Sequence, residues 1–224
     1  MPAGSGYALG FMATRGLFIT LEGGEGTGKS TQVRRLAGYF GALGREVVTL
    51  REPGGTPIGE SIRNLLQYDR SAAAMTPETE LLLFAASRAQ LSREVIQPAL
   101  GRGAVILCDR YLDSTTVYQG VARALDVRDV AAVNRFAVGT LLPDLTLVLD
   151  LDVTEGLRRA SGRGGPVDRM EGEEHSFYES VRRGYLALVE AEPGRFAVID
   201  ASGSEESVAD RVREAVEGRC HGLC

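Results

Sequence analysis

Lysine is nearly missing from this chain of 224 residues: of 25 basic residues, 24 are arginine and one, Lys29, is lysine. That scarcity excludes the N-K-x-D guanine reader of a GTP-dependent molecular switch, because the one lysine follows Gly28. Cysteine is scarce too. Cys108, Cys220 and Cys224 form an odd set with two members at the C-terminus, which excludes a disulfide framework and points to a reducing, cytoplasmic setting. The terminal pair with His221 lacks a fourth ligand, so no metal clip is expected there. No apolar run approaches the ~18–20 residues that span a bilayer, and no membrane partner is expected. A net charge of −5 leaves no basic excess, which argues against nucleic acid as a partner and disfavours a DNA-linked ATPase. The opening stretch Met1–Gly16 lacks a basic segment followed by an apolar core and does not read as a secretory signal. Residues 1–14 are expected to form a disordered tail, with Met12 an alternative start, ahead of a single domain over 15–224.

What is present is an alternation. The runs Leu17–Leu21, Val47–Leu50, Ala104–Cys108, Leu145–Leu151 and Phe196–Ile199 are short, Val/Ile/Leu-rich and nearly continuous, as strands buried on both faces are. Between and after them lie helical patterns over Thr31–Leu43, Gly59–Leu66, Thr79–Leu100, Val127–Leu141, Ser176–Ala191 and Ser207–Glu217. Strands alternating with helices predict an α/β fold, a parallel sheet covered on both sides.

The segment Gly23-Gly24-Glu25-Gly26-Thr27-Gly28-Lys29-Ser30 fits G-x-x-x-x-G-K-[ST] between a predicted strand and a helix that opens near Thr31. Glycines allow the loop to curl so that successive backbone N–H groups converge on phosphate oxygens. The following helix adds its positive end. Lys29 is expected to reach the β- and γ-phosphates of ATP, and the Ser30 hydroxyl to hold Mg²⁺. A chain that uses arginine everywhere else and lysine here needs a compact ammonium at this position. The loop establishes nucleotide binding and leaves its purpose open.

The third strand delivers Asp109-Arg110-Tyr111 to its C-terminal end, where ligands of open α/β sheets gather. Asp109 there can orient Mg²⁺ or its waters, and the Arg110 fork suits a phosphate. Arg51-Glu52-Pro53-Gly54-Gly55-Thr56 and Tyr118-Gln119-Gly120 complete an ordered series with the loop. In these motifs the chain resembles the bacterial thymidylate kinases, from about Gly16 to the end. The resemblance implies a P-loop NTPase-type three-layer fold with a five-stranded parallel sheet, a homodimer, and the reaction ATP + dTMP → ADP + dTDP. It implies further that Phe84 stacks on thymine, that Arg88 and Gln119 hydrogen-bond the base, and that Pro53 forms a wall beside it. Arg110 and Arg51 fall around the acceptor phosphate, and Glu25 near the sugar 3′-hydroxyl. Tyr118 reads equally as packing or binding, and without the family Phe84 reads as core and Arg88 as an exposed helix charge.

Arg158, Arg159, Arg163 and Arg169 lie in a stretch broken by Gly162, Gly164, Gly165 and Pro166, and a mobile lid is expected over about 158–170. Members of the family carry a catalytic arginine either in the lid or in the phosphate loop. The loop here has none, so the resemblance points to the lid, with Arg163 first and Arg158 and Arg169 behind. Catalysis is expected to rest on Lys29, Arg163, Asp109 and Glu25. The open alternative is another nucleoside-monophosphate kinase, with a P-loop GTPase switch behind it.

Overall fold

Three of the five apolar runs become strands buried on both faces, as expected, while the two outer ones, over Val47–Arg51 and Phe196–Asp200, are only partly buried because each lies at an edge of the sheet. In the computed structural model, which describes residues 16–69, 72, 74–162 and 173–220, the five strands are β1 (Leu17–Glu22), β2 (Val47–Arg51), β3 (Val105–Asp109), β4 (Leu145–Asp150) and β5 (Phe196–Asp200). All pairings are parallel, in the order β2-β3-β1-β4-β5. β1 lies at the centre, in register with β3 (Leu17 opposite Val105) and β4 (Ile19 opposite Leu145). The order reverses at β1, so the crevice beyond the C-terminal ends of β1 and β3 is a topological switch point.

Strand alternation sorts the core into two layers. Leu17, Ile19 and Leu21 face Val33, Leu36 and Phe40 of α1 (Lys29–Ala42) and Val208, Val212 and Val216 of the closing helix (Glu205–Arg219). Phe18 faces the other way, with Ile106 and Cys108, onto residues of α3 (Pro77–Leu91) and α6 (Val127–Val138). Thr20, on that same side, avoids a buried loose hydroxyl by sharing a 2.9 Å hydrogen bond with Thr146 of β4.

The expected helix over Thr79–Leu100 begins earlier, at Pro77, because Thr76 caps it by accepting from the Thr79 N–H at 3.3 Å. It continues through a π-helical turn, Ser92–Ile96, into α4 (Gln97–Gly101). α2 (Pro57–Gln67) is capped in the same way by Thr56. Two helical stretches were not expected. α5 (Leu112–Thr115) runs into a π-helical turn over Thr116–Ala122, and α7 (Val153–Ser161) follows β4. α8 (His175–Ala191) and α9 (Glu205–Arg219) complete the chain. The proposed tail over 1–14, and Arg163 and Arg169 of the proposed lid, lie outside the described residues; Arg158 and Arg159 are in the last turn of α7.

Candidate active site

β1 ends on Glu22, and the chain then curls through Gly23 to Gly28 before entering α1. Gly28 sits at φ 89°, a left-handed conformation natural to glycine, and caps α1 without a side chain. The contrast with the other helices is informative. α2, α3, α6, α7 and α9 are each capped by a Thr, Asp or Ser side chain, whereas α1, like α4 and α8, has neither such a cap nor an acidic residue in its first turn, and of these three only α1 opens into the cleft through its glycine-rich loop. Its leading N–H groups and positive dipole end therefore remain for an anion. Gly26 packs so closely on Gly156 of α7 that a Cβ on it would overlap the Gly156 carbonyl, and a Cβ on Gly156 would stand 2.5 Å from the Glu25 carbonyl oxygen. The loop is thus braced from outside by a helix with which it shares no sequence neighbourhood.

The Lys29 ammonium folds back over this loop, donating to the carbonyls of Gly23 (3.1 Å) and Gly24 (2.7 Å). Burial, and then the Arg110 charge, lower its pKa to about 8 against the opposing pull of Glu25, Asp109 and Glu22. Next along α1, the Ser30 hydroxyl donates to Asp109 Oδ2 at 2.5 Å, which brings together the two groups predicted to hold a metal ion from positions far apart in the chain. Thr27 closes the loop with a 3.1 Å bond to the Gly24 carbonyl.

Arg110 takes an unusual backbone conformation for a non-glycine residue, φ 70°. Its guanidinium reaches Glu25 Oε1 at 2.6 Å and the Gly23 carbonyl at 3.1 Å, and lies 4.9 Å from the centroid of the Tyr118 ring. The Tyr118 hydroxyl also donates to Glu25, at 3.0 Å. Glu25, odd in a phosphate cradle on charge grounds, is accounted for by this cationic partner.

Phe84 and Gln119 line the same cleft as Lys29, Ser30, Asp109, Arg110, Glu25, Tyr118, Arg51 and Pro53, a cavity of ≈ 590 Å³. Thr31 joins them at the loop end, while Gly23 and Gly24 lie behind, as acceptors for Lys29. Gln119 is held by a 2.7 Å bond from its amide to the buried Glu80 carboxylate. Arg51 is tied to Glu60 of α2 at 2.8 Å. Arg88 is placed differently. It does not line the cleft and is only 1% exposed, donating to Glu52 (2.8 Å), Asn134 (3.1 Å) and the Tyr111 carbonyl (3.2 Å). Glu52, its ion-pair partner, does line the cleft, and burial pushes its carboxyl up to about 7 despite the Arg88 charge. On the donor side, Arg159 of α7 lines the cleft with Ala201, Gly203 and Glu205, while Arg158 is exposed and paired with Glu155 at 2.7 Å. Sequence reasoning placed Arg159 in the lid cluster without giving it a role, and missed Glu52, Arg63 and Ser114 as lining residues. Glu52 carried a signal, since it stands inside a quoted motif; Arg63 and Ser114 did not.

A glycine-rich anion cradle at a sheet switch point, continuous with a second pocket holding an arginine and an aromatic ring, defines the class of P-loop phosphotransferases acting on small nucleotides. The family model for thymidylate kinase matches residues 21–212, and the chain belongs to that family. It is 49% identical over 209 residues to the thymidylate kinase of Geobacter sulfurreducens, covering 91% of this chain and 98% of that one. It is 47% identical over 208 residues to the thymidylate kinase of Deinococcus radiodurans, covering 93% and 100%. The crystal structure of thymidylate kinase from Ehrlichia chaffeensis superposes with a TM-score of 0.74 at 31% identity, over 90% of this chain and 98% of that one.

Proposed function

We propose that the chain transfers the γ-phosphoryl group of Mg²⁺-bound ATP to dTMP, giving ADP and dTDP. The observation that carries this reading is the single cleft in which the uncapped α1 terminus and Lys29 stand opposite Arg110, Phe84 and Gln119. The acceptor is a phosphate oxygen, largely ionised at neutral pH, so the site needs positioning and charge neutralisation more than a strong base. In this reading Lys29 turns from the loop carbonyls to the β- and γ-phosphates. Arg110 meets the acceptor phosphate, Phe84 stacks on the base and Gln119 reads its edge. Glu25 lies towards the sugar hydroxyl and keeps the Arg110 charge compensated. Arg88 acts on the base from beneath, through the Glu52 side chain that it orients.

Ser30 and Asp109 fit Mg²⁺. Both offer hard oxygen, and among the described residues no cluster of three or more His, Cys, Asp or Glu forms a cage. One carboxylate and one hydroxyl suit an ion whose remaining ligands are phosphates and water. When bound, the ion supplies charge neutralisation on the transferring group. The arginine that completes this neutralisation is assigned to the 158–170 lid, with Arg163 first.

A homodimer belongs to the same reading. α2 packs on α3 and α3 on α6, and their outer surfaces carry Ile58, Leu65, Leu82 and Phe136, with Tyr68 just past the end of α2, all exposed. The test of the activity is ADP release with dTMP, dUMP, AMP and GMP offered singly. Turnover that depends on dTMP above the others is expected; Mg·ATP binding with indifference to dTMP would overturn the proposal, and preference for another acceptor would pass the assignment to a sister kinase.

A further inference from the structure

Glu22 is completely buried, at 0% exposure, and it is not among the residues lining the cleft. A carboxylate taken out of water persists only where donors compensate it. Glu22 has three. Oε1 accepts from the Tyr111 N–H at 2.7 Å, and Oε2 accepts from the Ser114 hydroxyl at 2.6 Å and the Tyr185 hydroxyl at 2.8 Å. Each of these contacts leads to Arg110. The Tyr111 amide is the peptide group that follows the strained Arg110 backbone, φ 70°. The two hydroxyl oxygens stand 3.3 and 3.4 Å from Arg110 Nη1.

A hydroxyl has one proton. Ser114 and Tyr185, whose hydroxyl oxygens also stand 2.9 Å apart, both donate to Glu22 and turn their oxygens to the guanidinium, so the placement of this carboxyl, whose pKa burial and the Asp113 charge push up, is passed to Arg110 through two oriented hydroxyls. We propose that Glu22 is a positioning residue for Arg110, fixing its backbone through the Tyr111 amide and its guanidinium through Ser114 and Tyr185. The inference rests on the assignment of Arg110 to the acceptor phosphate. The relay meets the phosphate loop at the Gly23 carbonyl, which accepts from both Arg110 and Lys29, but its hydrogen bonds converge on Arg110, so its loss falls more heavily on the acceptor than on ATP.

The experiment is a double-mutant cycle on steady-state kinetics. Glu22→Gln keeps the volume but presents an amide to groups that need an acceptor. It is expected to raise KM for dTMP by roughly tenfold or more, with KM for ATP within about twofold of the parent. In an Arg110→Ala background the same change is expected to add less than about twofold, because it acts through the missing arginine. Tyr185→Phe, which keeps the ring and removes the hydroxyl, provides a second cycle should Glu22→Gln fail to fold, with a several-fold rise and the same non-additivity. An unchanged KM for dTMP in folded Glu22→Gln, effects that add fully across either cycle, or equal rises in both KM values would overturn the inference. An Arg110→Ala enzyme with parental affinity for dTMP would overturn the assignment of Arg110 and this inference with it.

Discussion

At the scale of single residues, Lys29 states the clearest tension between function and stability. Its folded pKa lies near 8, below the 10.5 of an unfolded chain, so the unfolded state holds more protons between those values. Stability contributed by this residue therefore rises with pH from about 8 to 10.5, and at neutral pH the full penalty stands, on the order of 3 kcal/mol. Lys29→Met is expected to lower kcat by orders of magnitude and to match or exceed the parent in urea unfolding at pH 7. In the parent, kcat/KM for ATP is expected to fall as pH rises past about 8, while kcat holds to higher pH, because bound phosphates raise the ammonium's pKa. A flat kcat/KM profile between pH 7 and 10 would contradict this. Phe84→Ala is expected to raise KM for dTMP about tenfold or more with little change for ATP. Arg88→Ala belongs to a different category, since it leaves Glu52 buried without its cation. It is expected to lose about 3–5 kcal/mol in urea unfolding, and a loss below 1 kcal/mol there would leave Arg88 without the structural part given to it.

These residues also mark the limit of what was legible in the sequence. Motif spacing singled out Lys29, Ser30, Asp109 and Arg110, which the fold brings into one cleft, because phosphate chemistry restricts which residue types can stand there. It did not identify Glu22 or the Arg88–Glu52 pair as buried networks. Their partners lie 23 to 163 positions away, and nothing local announces a carboxylate that will meet a tyrosine hydroxyl across the fold.

At the scale of elements, the strands were legible because continuous apolar runs have few other uses, and the long amphipathic helices because their period is plain. The stretch over Leu112–Ala122 was not. Ser114, Thr115, Thr116, Val117 and Tyr118 have weak helix propensity, and packing against α8 and α6 holds them helical. α7 was hidden by its glycine and arginine, which read as a loop. Its role turns on Gly156, whose missing side chain permits the close approach to the phosphate loop. Gly156→Ala places a Cβ 2.5 Å from the Glu25 carbonyl oxygen, and helix and loop must separate. The substitution improves helix propensity, so an isolated-helix view expects a gain. The packing view expects a loss of about 1–3 kcal/mol and a lower kcat/KM for ATP. Thermal unfolding and ATP kinetics on this one variant decide between them.

At the scale of the whole molecule, one surface is at odds with a lone chain in water. Phe136 is 86% exposed on α6, Leu82 58% on α3 and Ile58 55% on α2, with Leu65 further along α2 and Tyr68 just past its end. Isolated exposed apolar side chains are common, but four on three helices packed in sequence, with Tyr68 at the end of one, form a candidate interface. A helical layer of this kind can bury the area a stable dimer needs by meeting its own copy about a two-fold axis, which uses the same patch twice. The parent is accordingly expected to sediment as a dimer at micromolar concentration, with a melting temperature that rises with concentration. Phe136→Asp places two like charges on the symmetric interface and is expected to yield monomers of lower melting temperature, now independent of concentration. Since α3 also carries Phe84, loss of the partner is expected to loosen the acceptor pocket and raise KM for dTMP more than KM for ATP. A parent that sediments as a monomer would remove the dimer from the proposed function while leaving the cleft and its chemistry as described.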